Sequence, residues 1–519
     1  LQEGVSAEAS SLAGTQELGN LIVLYDDNRI TIEGQTGIAF TEDVEARYRA
    51  YGWDVQHVDF TRGGTDYVED VEGLYRAIEA AKAVTDKPSL IRVSTVIGWP
   101  MPHLQGSASV HGAKIGTAEI TALKQALGFD DEPFAIDTDL VERVRSCRAE
   151  QSRAERSSWD DAFASWRDAH SDKAACYDRI SRRELPDDLS LPTFEPGRMS
   201  TRKASGTVLN ALADQMPELW GGSADLAGSN NTSMAGAPSF LPESRVSETA
   251  PGGPYGRTLH FGIREHAMGG IINGITLSGL TRCYGGTFFV FSDYMRPAVR
   301  LAALMKIPSI FVWTHDSVGV GEDGPTHQPI EHLAAYRAIP GLDVIRPADA
   351  NETAVAWRTV LEHTDRPSAL VLTRQDVPTA DRTQCASAEG TARGGYVLSE
   401  ASSDPQLILI ATGSEVGVAL EAQLSLEKAG VPTRVVSMPC QEWFDAQDAD
   451  YREQVLPSDV KARVSVEAGI AMGWAKYVGC EGASVSIERF GASASGDVCM
   501  EKFGMTAEHV VTVAQQLLS

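Results

Sequence analysis

Leu21-Ile22-Val23-Leu24-Tyr25-Asp26-Asp27-Asn28 is an unbroken apolar run that ends in two carboxylates and an amide. So short a run, apolar at every position, reads as a strand buried on both faces, as in parallel sheets. Before it, Ala/Ser/Leu-rich sequence reads as a helix to about Leu18. After it come a helix over Thr41–Tyr51, a strand around Val55–Val58, a helix over Tyr67–Val84 and a strand over Ser89–Val96. This alternation predicts a parallel sheet covered by helices on both faces.

The pattern changes and then returns. Thr117 to Arg183 is helical and highly charged without a strand signal, and Leu185 to Arg198, with Pro186, Pro192 and Pro196, predicts an exposed linker. A second α/β region starts near Ser200, with strands over Pro308–Thr314 and Ala369–Thr373 and helices over Glu265–Ser278 and Tyr294–Met305. Beyond residues 379–394, a strand over Leu407–Ala411, a helix over Val416–Ala429 and a strand over Thr433–Ser437 open a third. A chain of 519 residues suits about three domains at roughly 150 residues each. The expected boundaries are 1–184 with a linker to about 198, then 199–378, then 395–519.

A net charge of −26 argues against nucleic acid and anionic membrane as general partners. It does not exclude an anionic substrate, because screening confines distant charges to about 10 Å and a local basic pocket can act alone. Seven scattered cysteines without CxxC spacing suit a reduced cytoplasm better than a disulfide framework or a zinc site. No apolar run approaches the length of a membrane span.

Several segments carry polar groups that chemistry can use, each beside an ordinary reading. Asp26-Asp27-Asn28 lies where open α/β sheets bind ligands; the Asn28 amide oxygen and the Ile30 carbonyl are hard donors for Mg²⁺ or Ca²⁺, but such a strand end is also a common turn. Glu265, in Gly262-Ile263-Arg264-Glu265-His266, is a first-turn carboxylate of the kind a helix dipole favours. Phe288, Phe291 and Tyr294 fall three apart, which predicts one helical face, with core packing the default role. Two histidines and several carboxylates crowd the glycine-rich loop from Thr314 to Pro329; their spacing matches no zinc pattern. Arg202 and Arg374 could be surface ion pairs or a pair of guanidinium forks for phosphate. The turn after Leu407–Ala411, Thr412-Gly413-Ser414, could bind an anion at a helix N-terminus.

Taken together and in order, these segments resemble the transketolase family from Glu3 to the last helix. The carriers are Tyr25-Asp26-Asp27-Asn28-Arg29-Ile30, Val110-His111-Gly112-Ala113, Ser200-Thr201-Arg202-Lys203, Gly221-Gly222-Ser223-Ala224-Asp225 with Ser229, Gly262 to His266, Thr287 to Tyr294, Thr314-His315-Asp316-Ser317, Gly321 to Pro329, Leu372-Thr373-Arg374 and Val466-Glu467-Ala468-Gly469. Trp99-Pro100-Met101-Pro102, just before His111, departs from the commoner Phe-Gly-Ser-Pro.

The resemblance implies two thiamine-diphosphate-binding-fold domains, the first incomplete, and a C-terminal α/β domain without a catalytic role. It implies thiamine diphosphate and Mg²⁺ (or Ca²⁺) as cofactors, the metal held by Asn28 and Ile30. Cofactor contacts would come from Asn28, Ile30, His111, Asp225, Glu265, Phe288, Phe291 and Tyr294. Substrate contacts would come from His111, Arg202, Ser229, His315, Asp323, His327 and Arg374. Glu265 would bond the aminopyrimidine ring, with His327 and His111 joining it in catalysis. The implied reaction moves a two-carbon ketol unit between sugar phosphates, as in the pentose phosphate pathway or Calvin cycle, in a homodimer whose active sites lie at the subunit interface. Alternatives are another thiamine-diphosphate transferase, such as a dihydroxyacetone or deoxyxylulose-phosphate synthase, or a non-catalytic fragment. In the family a Gly-Asp-Gly precedes the position of Leu1, so the expectation is an N-terminally truncated chain that holds the metal–diphosphate poorly by itself.

Overall fold

The computed structural model describes residues 1–519 except Thr65 and Ala113, so the last residue of the Val110–Ala113 motif lies outside the described residues. It divides into two compact units, Leu1–Ala175 and Cys176–Ser519.

In the first unit, α1 (Gly4–Thr15) leads into β1 (Ile22–Asp27), followed by α2 (Val44–Ala50), β2 (Asp54–Asp59), α3 (Val71–Ala83) and β3 (Ser89–Ser94). Both later helices start further along than the sequence suggests because an aspartate sets the first turn: Asp43 and Asp70 cap α2 and α3 by accepting from Ala46 N and Gly73 N. The three strands are parallel in the order β1-β3-β2. Side-chain alternation along β3 sends Ile91 and Val93 into one cluster with Ala77 and Ala81 of α3, and Leu90 into another with Val44 and Tyr48 of α2. Helices therefore cover both faces, as predicted. The most buried strand is β3, buried everywhere but at Arg92; β1 is an edge strand on which Leu24 is exposed. The charged stretch becomes α4 (Thr117–Leu127), α5 (Thr138–Ala169) and α6 (Ser171–Ser181).

The second unit is built on an eight-stranded sheet and a five-stranded sheet. Its elements run β4 (Gly197–Met199), α7 (Thr201–Gln215), β5 (Leu219–Ser223), α8 (Ala227–Asn230), β6 (Ser239–Phe240), β7 (Gly252–Gly253), β8 (Thr258–His260), α9 (Glu265–Leu277), β9 (Arg282–Phe288) and α10 (Ser292–Met305). They continue with β10 (Ile310–Thr314), α11 (His332–Arg337), β11 (Asp343–Ile345), α12 (Ala350–Glu362), β12 (Ser368–Leu372) and β13 (Val377–Thr379). The large sheet has the order β11-β12-β10-β9-β5-β8-β6-β7, and its pairings are all parallel. The Gly221-Gly222 pair in β5 is steric in origin: a Cβ at Gly222 would stand 1.7 Å from the Leu259 carbonyl oxygen of β8.

The remaining elements are β14 (Tyr396–Ser399), β15 (Leu407–Ala411), α13 (Glu415–Lys428), β16 (Thr433–Ser437), α14 (Gln441–Asp445), α15 (Ala449–Val455), β17 (Arg463–Val466), α16 (Ala475–Val478), β18 (Ala483–Val485), α17 (Gly496–Lys502) and α18 (Ala507–Leu518). The five-stranded sheet is ordered β14-β16-β15-β17-β18, with only the β14 pairing antiparallel.

The proline-rich stretch is exposed at its polar positions, as the sequence suggests, but its apolar side chains are half-buried. Leu185, Leu189, Leu191 and Phe194 pack against the core of Val208, Leu209, Leu212 and Trp357. Asn351 of α12 clasps the backbone of Phe194, accepting from its N–H at 2.9 Å and donating to its carbonyl at 2.8 Å. Prolines remove donors, so the segment needs few backbone partners, and burying its apolar side chains outweighs leaving them in water.

Candidate active site

Parallel strands present their carboxyl ends on one edge, and ligands of open α/β sheets bind there. Five adjacent strands of the large sheet, β12-β10-β9-β5-β8, end in the predicted residues. Arg374 follows β12, His315 follows β10, Phe288 closes β9, Asp225 and Ser229 follow β5, and Glu265 begins the helix after β8.

Arg202 and Arg374 lie far apart in sequence but are drawn together by pairing. Strands β4 and β13 run antiparallel, and Thr201 and Thr373 exchange hydrogen bonds, each backbone N–H donating to the other's hydroxyl at 3.0 and 2.8 Å. Arg202 lies in the first turn of α7 and donates from Nη1 to the Ser229 carbonyl at 2.5 Å. It is thus the backbone of Ser229, not its hydroxyl, that touches Arg202. Burial lowers the pKa of Arg202, and the nearby positive charge of Arg374 lowers it further. The Arg202 Nε is buried without a hydrogen-bond partner. Two guanidinium groups that repel each other beside an unsatisfied donor form a site that an anion would relieve.

His315 is almost fully buried and sits at φ 63°, in the left-handed region uncommon for a non-glycine residue. Its Nδ1 pairs with Thr314 Oγ1 (2.7 Å), which donates to Asn230 Oδ1 (2.7 Å); Asn230 Nδ2 donates to Ser223 Oγ (2.8 Å), which donates to the Gly286 carbonyl (2.7 Å). This relay across β5, β9 and β10 fixes the imidazole, which stacks on Phe288 at 3.6 Å. Burial, with the charges of Arg202, Arg374 and His327, pushes its pKa down to about 3. His315 is therefore a neutral imidazole at physiological pH. Because its folded pKa lies below the unfolded value of about 6.5, the folded state binds fewer protons, and the stability associated with that difference is lost as pH falls from about 6.5 toward 3. His315→Asn is expected to move the acid-unfolding midpoint, followed by circular dichroism, to lower pH.

Phe288 and Phe291 stack with ring centroids 5.6 Å apart, and Phe291 continues to Tyr294 at 6.2 Å. Their expected single helical face is corrected: Phe288 ends a strand, Phe289–Phe291 is a 3-10 turn, and Tyr294 belongs to α10. The fold keeps the three rings in a row, with Tyr294 65% exposed at its outer end. His327 meets Phe291 edge-on at 5.4 Å, and its Nδ1 pairs with Thr326 Oγ1 at 2.9 Å. Glu265 is buried at the N-terminus of α9, where the helix dipole favours a carboxylate. The turn before it depends on Gly262 at φ 66°. Asp225, Ser229, Asp323 and Arg374 are exposed.

In the first unit, Asn28 and Ile30 line a cavity of about 830 Å³ with Tyr25, Arg29, Glu45 and Arg92. Asn28 Oδ1 accepts from Ile30 N at 3.0 Å, and the Ile30–Gln35 bridge runs through Thr31 N to Gly34 O and Thr36 N to Arg29 O, using neither polar atom of Ile30. The second lone pair of Oδ1 and the Ile30 carbonyl fit a hard cation. Asp27 is committed to Arg92, whose Nε donates to it at 2.7 Å, so the protein donors are neutral and a diphosphate would supply the charge. His111 is exposed at the end of a 3-10 turn, its N–H donating to the Ala108 carbonyl at 3.1 Å. Among the described residues, one His/carboxylate cluster brings its donor atoms within 4.8 Å of one another, Asp293, Glu331 and His332, and it involves none of the predicted metal ligands.

The chain matches three family models: transketolase thiamine diphosphate binding domain over residues 1–186, transketolase pyrimidine binding domain over 197–379 and the transketolase-like C-terminal domain over 394–506. The chain belongs to the transketolase family. It is 54% identical to the transketolase of Mycobacterium tuberculosis over an alignment spanning 100% of this chain and 74% of that protein. With the transketolase of Geobacillus stearothermophilus it shares 46% identity across 100% of this chain and 76% of that one. A crystal structure of Pichia stipitis transketolase in complex with sedoheptulose-7-phosphate superposes with a TM-score of 0.93 at 41% identity, covering 100% of this chain and 75% of that chain. As in the family, the chain has a thiamine-diphosphate-binding domain, a pyrimidine-binding domain and a C-terminal domain, all α/β. Among the described residues, no helix is long and apolar enough to cross a membrane.

Proposed function

We propose that this transketolase transfers a two-carbon ketol unit from a ketose phosphate such as xylulose 5-phosphate to an aldose phosphate such as ribose 5-phosphate or erythrose 4-phosphate. The observation that carries the substrate class is the convergence of Arg202, Arg374, His315 and His327 on the same sheet edge as the aromatic row. Bound thiamine diphosphate would supply a carbon nucleophile and an electron sink for cleavage of the ketose carbon–carbon bond.

The protein's tasks follow from its side chains. Phe288, Phe291 and Tyr294 offer flat faces to a heteroaromatic ring. Glu265, buried at the N-terminus of α9, would hold a proton shared with a ring nitrogen. Neutral His315 donates from Nδ1 to the Thr314 hydroxyl, which already donates to Asn230, so its Nε2 is left to accept from a sugar hydroxyl without adding to the local positive charge, and His327, His111, Asp225 and Asp323 complete the hydroxyl and proton contacts. Arg202, Arg374 and Ser229 hold the phosphate. Asn28 and Ile30 would hold Mg²⁺ or Ca²⁺ against the diphosphate. We take the domain limits as 1–184, 199–378 and 395–519, which the three family-model spans support. All seven cysteines are free, in keeping with a reducing cytoplasm.

Turnover of xylulose 5-phosphate with ribose 5-phosphate, and none of pyruvate with glyceraldehyde 3-phosphate, is the expected result. The reverse pattern would replace this reading with a deoxyxylulose-phosphate synthase.

The assembly we propose is a homodimer with each active site at the interface. Supporting it, α9 and α10 pack on each other through Gly269 and Ala298, while Leu277, Leu301, Leu304 and Met305 on these helices are exposed. In such a dimer Asn28 and Glu265 of one chain would serve different sites. Mixing inactive Asn28→Ala and Glu265→Ala chains should then restore activity, to roughly a quarter of wild type if subunits exchange at random. No recovery after exchange would show that both residues act in one chain's own site.

A further inference from the structure

Residues Leu407 to Ser519 contribute no side chain to the site described above, yet they hold the neighbours of three of its residues, two directly and one through Arg346. Each of three site residues is followed by a neighbour fastened to this C-terminal part. After His315 comes Asp316, whose Oδ2 accepts from Arg346 Nε at 2.9 Å; Arg346 Nη1 in turn donates to Thr412 Oγ1 at 3.0 Å and to the Glu415 carboxylate, and these three charged groups are fully buried. After His327 comes Gln328, whose Nε2 donates to the Gly321 carbonyl at 2.9 Å and the Ala492 carbonyl at 3.0 Å, while its Oε1 accepts from Ala492 N at 3.0 Å. After Arg374 comes Gln375, whose Nε2 donates to Ser414 Oγ at 3.2 Å and which packs so closely on Gly319 that a Cβ there would stand 2.5 Å away.

We propose that Asp316, Gln328 and Gln375 are positioning residues through which the C-terminal domain sets the geometry of the site, Gln375 at the phosphate end behind Arg374 and the other two behind the hydroxyl-contacting histidines. This rests on the reading of Arg374 as a phosphate contact and of His315 and His327 as hydroxyl contacts beside it. Successive residues of an extended or turning chain share a peptide plane, so anchoring residue i+1 restricts the direction in which residue i projects. The site loops lie on a sheet edge and not inside it, so their own backbone supplies little of that restriction. Gln328 is the most specific tether, because only a primary amide satisfies two carbonyls and one N–H together. A Cβ on Gly491 would lie 1.7 Å from its oxygen, so that stretch closes on the amide without a gap.

The test compares kcat/KM for ribose 5-phosphate with kcat/KM for unphosphorylated ribose as acceptor, with xylulose 5-phosphate as donor throughout. The ratio of the two does not depend on how much of a preparation is folded. Wild type is expected to favour the phosphorylated sugar strongly. Gln375→Leu should lower the ratio at least twofold, with the affinity for thiamine diphosphate unchanged by calorimetry. Should Gln375→Leu fail to fold, the smaller Gln375→Ala carries the test. Equal losses for both acceptors would mean a purely structural role and overturn the proposal, as would an unchanged ratio. A wild-type enzyme with no preference for the phosphorylated sugar would instead overturn the phosphate reading, and the inference with it.

Discussion

Glu265→Ala is expected to lower kcat by about a hundred- to ten-thousandfold, the usual contribution of a positioned proton-transfer group. Binding of thiamine diphosphate, followed by calorimetry, should change little, because the diphosphate anchor is proposed for Asn28 and Ile30 and not for Glu265. The carboxylate is only 8% exposed, so the methyl group that replaces it leaves a small polar void, not an altered surface. Glu265 also opens α9, so its loss removes a favourable dipole contact of about 0.3–1 kcal/mol and should cost only slight stability. Near-native turnover at saturating cofactor would remove Glu265 from the mechanism.

The second large effect concerns the arginines. Arg202→Ala and Arg374→Ala are each expected to raise KM for phosphorylated substrates by about 2–3 kcal/mol of lost charged hydrogen bonding, or about 30- to 150-fold. Unphosphorylated acceptors should be affected far less, and equal losses for both would exclude a phosphate role. Arg202 should show the larger general effect, because it also binds the Ser229 carbonyl and so shapes the loop after β5. Removing either arginine also takes away a positive charge that depresses the His315 pKa, so His315 should titrate at higher pH in both variants, as read by its imidazole resonances in NMR.

The sequence was most informative where periodicity and strand ends coincide. The apolar run before Asn28 and the run Ile310–Thr314 became strands whose carboxyl ends carry candidate groups. Helix starts were misjudged by a few residues because aspartate capping at Asp43 and Asp70 competes with the apolar pattern. The aromatic row was read as a helix because a strand end followed by a 3-10 turn can also return side chains to one side every three residues. The proline-rich stretch hides the half-burial of its apolar side chains for another reason: that packing is supported by Asn351, 157 residues from Phe194. The same distance hides Arg346, whose partners Asp316 and Glu415 lie 30 and 69 residues away, so no local window shows that it is buried. The relay from Ser223 through Asn230 and Thr314 was likewise invisible, although two of its members stand beside residues singled out for chemistry.

The buried Asp316–Arg346–Glu415 cluster bears on how such a chain can be recombined. Charges enclosed in protein tolerate the loss of a partner badly, typically at about 3–5 kcal/mol, since the remaining charge has no water to turn to. A chimera that joins residues 1–394 to the C-terminal part of a distant relative would succeed only if that relative also presents a carboxylate where Glu415 stands and a backbone turn where Ala492 meets Gln328. The exchangeable block is therefore the whole stretch from Cys176 to Ser519, which is also one compact unit. Drift in either half of that stretch is constrained by the other, and substitutions near residues 412–415 should be accepted only in company with changes around 316 and 346.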